Sequence, residues 1–214
     1  MTAFALVCHG ETDWNRERRI QGSTDIPLND TGRAQAAATG ALLRGRQWSR
    51  IIASPLGRAA ETAAIIAGSV GMPAPELDAA FVERNYGDAE GLTGAELDAR
   101  YPEGAEVPGR ESREAVAERV VAALHRLAAE HPGESIVVVA HGGVIRSVLE
   151  AVVPGRHREP ITNGSVHSFL HADGDLALSR FDDPVDEQSI FPLAEDFEEQ
   201  NPLARREEGR EEGR

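Results

Sequence analysis

The 214 residues carry 36 acidic and 22 basic side chains, a net charge of −14, and every basic residue is arginine. The missing lysine excludes Schiff-base chemistry and the lysine-bearing phosphate loop of nucleotide triphosphatases, and the acidic balance argues against nucleic acid as a partner. A 41% apolar content and one cysteine, Cys8, suit one globular domain in a reducing, cytoplasmic setting without a disulfide, and no run approaches the roughly 20 apolar residues that cross a bilayer.

In chain order, residues 3–8 read as a buried strand. Asn29-Asp30-Thr31-Gly32 opens a helix that runs to about Arg46, with alanines and Leu42-Leu43 on its apolar side. Ser49 to Ala53 forms a second strand, and Ser54 then caps a helix with Pro55 in its first turn. Leu77 to Val82 is expected as a third strand. The stretch from Thr93 to Gly109, punctuated by Pro102, Gly104, Pro108 and Gly109, reads as a mobile cap, within an insertion spanning about 84–112. A long helix follows from Arg113 to Glu130. The clearest strand, Ser135 to Ala140, ends in His141-Gly142-Gly143 and enters a helix that reaches Val153. Val166 to Leu170 and Leu176 to Phe181 pair across the Asp173-Gly174 turn. Alternating strands and helices define an α/β fold, a three-layer sandwich around a mostly parallel sheet with an antiparallel edge and a small helical cap. The domain is expected over residues 1–181. Residues 182–214, with 12 acidic and 4 basic residues, form a low-complexity acidic tail that reads as disordered. Its Ile190, Phe191, Leu193 and Phe197 offer the alternative of partial folding over the site.

Ligands of open α/β sheets bind at the carboxyl ends of the strands. Cys8-His9-Gly10-Glu11-Thr12, Ser54 with Arg58, Glu83 and His141-Gly142-Gly143 all fall at such ends, so two histidines, an arginine and a carboxylate converge from distant segments. An imidazole with an ordinary pKa near 6.5 is available as a neutral nucleophile, and the helix opening at Gly142 aims amide N–H groups where an anion would sit. No carboxylate cluster suggests magnesium. His167 and His171 share a strand face, a weak zinc signal without a third ligand.

These blocks resemble the histidine phosphatase (phosphoglycerate mutase-like) superfamily. The resemblance rests on Cys8 to Asn15, Arg19-Ile20-Gln21-Gly22 with Asp25 to Leu28, Ser54-Pro55-Leu56-Gly57-Arg58-Ala59 with Glu61-Thr62-Ala63, Glu83 with Tyr86-Gly87 and Glu90-Gly91-Leu92-Thr93, and His141 to Arg146. It covers about Leu6 to Phe181. It implies that His9 attacks phosphorus to become phosphohistidine, that Arg58 clamps the phosphoryl oxygens with both ends of its fork, and that His141 donates to the same oxygens. Asn15 would add a neutral donor, and Glu83 would serve as general acid and then base. Cys8, Gly10, Gln21, Gly22 and Gly142 would complete the substrate pocket. The implied substrate is a small phosphomonoester, with no cofactor and no metal. Monomer and homodimer both stay open.

The family pattern has arginine where this chain has Cys8, which removes a second phosphate clamp. Three readings stay open: an introduced or sporadic substitution in an active enzyme, compensation by Arg16, Arg19 or Arg84, or lost catalysis with retained phosphate-ester binding. Cys8 as the nucleophile is set aside, because neighbours leaving a strand point to opposite faces. The short cap and Glu90-Gly91-Leu92-Thr93 resemble the phosphatase branch; mutase-type transfer and a non-catalytic phosphate-ester sensor are the alternatives.

Overall fold

The computed structural model describes residues 1–183. The elements run β1 (Thr2–Cys8), α1 (Asp13–Arg16), α2 (Asp30–Leu43), β2 (Arg50–Ala53), α3 (Gly57–Val70), β3 (Glu76–Leu77), α4 (Gly94–Arg100), α5 (Arg113–Glu130), β4 (Ser135–Ala140), α6 (Gly142–Val152), β5 (Val166–Ala172) and β6 (Asp175–Arg180). The sheet order is β3-β2-β4-β1-β5-β6. β1 to β4 are mutually parallel, while β5 and β6 form the expected antiparallel edge. The β5–β6 turn uses Asp173 and Gly174 at φ 53° and 90°, the left-handed pair that matches the twist of a two-residue hairpin.

Alternation along β1 divides the core between two faces. Phe4, Leu6 and Cys8 join Ile136, Val138 and Ala140 beneath α5 and α6. Ala5 and Val7 join Val137 and Val139 beneath α3 and the Leu43 end of α2. The central strands are apolar on both sides, as a covered parallel sheet demands. A third cluster, Ile20, Tyr86, Ala89, Leu97 and Val107, gives the cap a small core of its own. Thr93 and Glu96 form a capping box that starts α4. Gly91 N–H donates to Ile20 carbonyl oxygen at 2.7 Å and Ile20 N–H to Leu92 at 3.0 Å, stitching the cap to the loop after α1.

Two expected elements differ. The helix expected from Ser54 begins at Gly57 with Leu56 at its N-cap; the Ser54 oxygen accepts from Leu56 N–H, ahead of the helix, and its hydroxyl also contacts His141 of another segment. The expected third strand shrinks to Glu76–Leu77; Asp78 then accepts from Ala80 N–H and turns the chain into a 3₁₀ turn, Ala79–Phe81. At the carboxyl end Asp183 is buried, accepting from Ser168 Oγ at 2.8 Å. Beyond it, the expectation for the acidic tail, including Ile190, Phe191, Leu193 and Phe197, lies outside the described residues. No helix among the described residues is long and apolar enough to cross a membrane.

Candidate active site

β1 and β4 are parallel neighbours with Cys8 opposite Ala140, so the residues that follow, His9 and His141, leave the sheet side by side. Their ring centroids lie 5.1 Å apart. The His9 Nδ1 sits 2.6 Å from the Gly10 carbonyl oxygen. A carbonyl can only accept, so Nδ1 carries the proton and Nε2 keeps its lone pair. Gly10 is held in turn: its N–H donates to Thr62 Oγ1 at 3.1 Å, and a Cβ there would stand 2.2 Å from the Gly32 carbonyl oxygen. Only glycine permits that approach, and the approach fixes the carbonyl that orients His9. Asn163 Nδ2 donates to the His9 carbonyl at 2.8 Å and holds the residue from behind.

His141 is fully buried, with Nε2 2.8 Å from Ser54 Oγ. Ser54 Oγ accepts from Leu56 N–H at 3.3 Å, and its own O–H can donate to Nε2 in the tautomer that carries the His141 proton on Nδ1. That Nδ1 is buried without a partner, as is Arg58 Nε. Two N–H donors without a solvent or protein partner among the described residues, beside the His9 imidazole, are what an oxyanion would satisfy. Arg58 reaches the site from the first turn of α3, fully buried, with Nη1 donating to the Thr24 carbonyl at 2.8 Å and Nη2 to that of Gly22 at 2.7 Å. Each Nη spends one of its two N–H groups on the Gly22–Thr24 loop and keeps the other, and Nε has no partner among the described residues.

Glu83 faces this group from the segment after the Ala79–Phe81 turn. Its oxygens accept from Arg84 N–H at 2.7 Å and Gly143 N–H at 3.0 Å. Burial raises its pKa, opposed by those two N–H groups and by Arg58 and Arg119. Burial, with Arg58 second, lowers the His9 pKa to about 3, and burial holds His141 well below the usual histidine value. The site thus presents neutral imidazoles and a carboxyl group inclined to keep its proton. The Cys8 thiol is driven upward by burial and by Glu83, so it stays protonated and non-nucleophilic.

The family model of the histidine phosphatase superfamily (branch 1) matches residues 4–184. The chain belongs to this superfamily. The uncharacterized phosphatase PhoE of Bacillus subtilis is 43% identical over 155 residues, covering 72% of this chain and 79% of its own. Phosphoglycerate mutase-like protein 4 of Arabidopsis thaliana is 42% identical, covering 80% of each. Among solved structures, mycobacterial glucosyl-3-phosphoglycerate phosphatase in complex with VO3 superposes with a TM-score of 0.75 at 29% identity, over 84% of this chain and 98% of that one.

In this histidine phosphatase chain a cleft opens over His9. Of the residues expected at the site, Cys8, His9, Asn15, Gln21, Gly22, Arg58, Glu83 and Gly142 line it. Gly10 and His141 do not. Gly10 acts through the His9 ring, and His141 stands behind it. Asn15 gives its Oδ1 to the Thr12 N–H and hydroxyl at 3.0 and 3.1 Å, which leaves its Nδ2 as the donor it can offer. The sequence reading missed Tyr86 as a wall residue, and also Arg113, Gly143, Arg146 and Ile161. Gly143 stood in a quoted motif, but its part in holding Glu83 is a tertiary contact.

The compensation sought for Cys8 does not come from Arg16, which is exposed and paired with Asp13 at 2.8 Å. Arg19 and Arg84 line the cleft yet are held elsewhere: Arg19 donates to the Gly91 carbonyl and Glu17, and Arg84 to the Glu111 carbonyl while lying over the Tyr86 ring. Arg58 remains the arginine whose charge acts on Cys8, His9 and His141. His167 and His171 share no site, His171 contacting His125 at 2.8 Å and His167 contacting Ser165 and Asp182 N–H. Among the described residues no group of three His, Cys, Asp or Glu could hold a metal ion.

Proposed function

We propose that this chain hydrolyses small phosphomonoesters through a phosphohistidine on His9. The observation that carries the reading is the neutral His9 ring, locked by Gly10 with Nε2 free, beside the unpartnered buried donors Arg58 Nε and His141 Nδ1. In the first step Nε2 bonds to phosphorus, the ester P–O bond breaks, and protonated Glu83 gives its proton to the leaving oxygen. In the second step Glu83, now ionised, takes a proton from water as the hydroxyl oxygen attacks phosphorus and the N–P bond breaks. Charge gathering on the transferring oxygens is met by Arg58, His141 and Asn15, the positioning and electrostatic work that phosphoryl transfer chiefly requires.

The outer cleft supports an acidic leaving group. Arg19, Arg58, Arg84, Arg113 and Arg146 line it, and Glu83 is the one carboxylate among its described lining residues, so the lining carries an excess of positive charge even with Arg19 and Arg84 also bonded elsewhere. Glucosyl-3-phosphoglycerate, named for the mycobacterial neighbour, carries a carboxylate beside its ester. A panel of phosphomonoesters with and without a carboxylate, read by phosphate release, tests both claims. Carboxylated esters should give the higher kcat/KM, and His9→Ala should abolish release. Full activity in His9→Ala would end the mechanism. The mutase-like relative keeps a second reading in play, and isomerised product instead of phosphate from 3-phosphoglycerate would favour it. Binding without either product would leave the sensor reading that Cys8 recommends.

A further inference from the structure

The Glu90-Gly91-Leu92-Thr93 motif has no part in the chemistry above, and Glu90 does not line the cleft. Its carboxylate is nevertheless saturated. Oε1 accepts from Ser23 N–H at 2.9 Å, Ser23 Oγ at 3.1 Å and Tyr86 N–H at 3.1 Å. Oε2 accepts from Thr24 N–H at 2.9 Å and from the Thr24 hydroxyl. Gly22, at φ 58°, fits against it: a Cβ there would stand 2.1 Å from Oε1. The same short loop turns its carbonyls the other way. Gly22 and Thr24 present theirs to the two Nη atoms of Arg58. One side of the loop is gripped by an anion and the other grips the buried cation.

We infer that Glu90 is a positioning residue that sets the Arg58 guanidinium through the Gly22–Thr24 loop. Arg58 sits where the phosphoryl group would bind, so the inference rests on the function proposed above. Among the described residues, Glu90 is the side chain that joins the Ser23 and Thr24 N–H groups of the loop to the N–H of Tyr86, a cleft residue on the cap. Burial works to raise the Glu90 pKa, and the hydrogen bonds from Thr24, Ser23 and Tyr86 outweigh it, so the carboxylate stays ionised. An anion here also lies close enough to act on the charge of Arg58. With Cys8 in place of a second clamp, the aim of this one arginine decides how well a phosphoryl group is held.

The test exploits the fact that both carboxylate oxygens accept backbone N–H. Glutamine has the same shape but must turn an NH₂ toward a donor, whereas a residue that only fills space would tolerate it. Binding of inorganic phosphate and kcat/KM are measured for wild type, Glu90→Gln, Glu90→Asp, Arg58→Ala and Arg58→Ala/Glu90→Gln, with thermal melts to establish folding. Expected are phosphate affinity at least about tenfold weaker in Glu90→Gln, partial recovery in Glu90→Asp, and no further loss when Glu90→Gln is added to Arg58→Ala. Arg58→Lys is the background if the alanine variant does not fold. Wild-type affinity in Glu90→Gln, or an equal fold-loss in both backgrounds, overturns the inference. Absence of phosphate binding by the wild type would remove the functional reading beneath it, and His9→Ala activity separates that failure from one of Glu90 alone.

Discussion

Burial tunes His9 and Glu83, the nucleophile and general acid of the proposed mechanism, in opposite directions, and for that mechanism each direction has a consequence in pH. His9 is pushed down to about 3, so its nucleophilic form persists far below the ordinary histidine range. Glu83 is pushed up, so the proton it must donate is retained above the usual carboxylate range and lost as pH rises through the raised value. A kcat/KM profile should therefore show its acid limb near about 3 instead of 6.5, and its alkaline limb should belong to Glu83. Glu83→Gln should lower kcat by about 10²–10⁴ and erase that alkaline limb. An acid limb between 6 and 7 would mean that His9 is solvated in the working enzyme. Position 8 obeys the same charge logic. The buried neutral thiol adds nothing to hold a phosphoryl oxygen, and a lost charged contact costs roughly 2–5 kcal/mol. Cys8→Arg should raise kcat/KM at least about tenfold, at about 1.4 kcal/mol per decade. An unchanged value would show the pocket rebuilt around the thiol.

Elements were legible wherever local pattern and tertiary demand coincide. Val137, Val138 and Val139 form a strand on any reading, and His141-Gly142-Gly143 opens a helix as expected. Ser54 was misread because its oxygen accepts from Leu56 N–H, ahead of the helix, and its hydroxyl meets His141 from 87 residues away, a tertiary contact that local pattern does not encode. Arg113 was missed for a related reason: it opens α5 but reaches the cleft only through the packing of the cap. Gly143 shows the two levels in conflict. Within α6, alanine should improve the helix by up to about 1 kcal/mol. Its Cβ would stand 2.6 Å from Glu83 Oε1 and 2.7 Å from the Tyr86 hydroxyl. Gly143→Ala should keep the wild-type Tm within a few degrees while kcat falls at least about tenfold. A parallel fall in Tm and kcat would assign the glycine to folding instead.

Across the whole molecule the convergence of His9, Arg58, Glu83 and His141 follows from the strand order β3-β2-β4-β1, which sets the carboxyl ends of four parallel strands side by side. Motif order along the chain anticipated that convergence, whereas the loop carbonyls on Arg58 come from tertiary geometry that no local pattern encodes. The architecture also carries a cost. His9, His141 and His167 are all buried, and burial lowers the pKa of each, that of His167 to about 3. Between that value and 6.5 the unfolded chain binds protons that the fold refuses, so stability rises with pH across this window and is lost as pH falls through it. Glu83 and Asp182, raised in the fold, work in the opposite sense, whereas Glu90, Glu96 and Glu111 are lowered and work with the histidines. His167 isolates the effect, since it lies in β5 against Phe181 and outside the cleft. A lowered pKa of this size is worth up to roughly 3 kcal/mol at pH 4, or some 5–10 °C in Tm for a chain of about this length. Calorimetry from pH 7 to 4 should show Tm falling below pH 6.5, and the fall should shrink by about that amount in His167→Gln. An identical fall in the variant would mean that His167 accepts its proton without unfolding, and that the β5–β6 edge opens to water well before the core does.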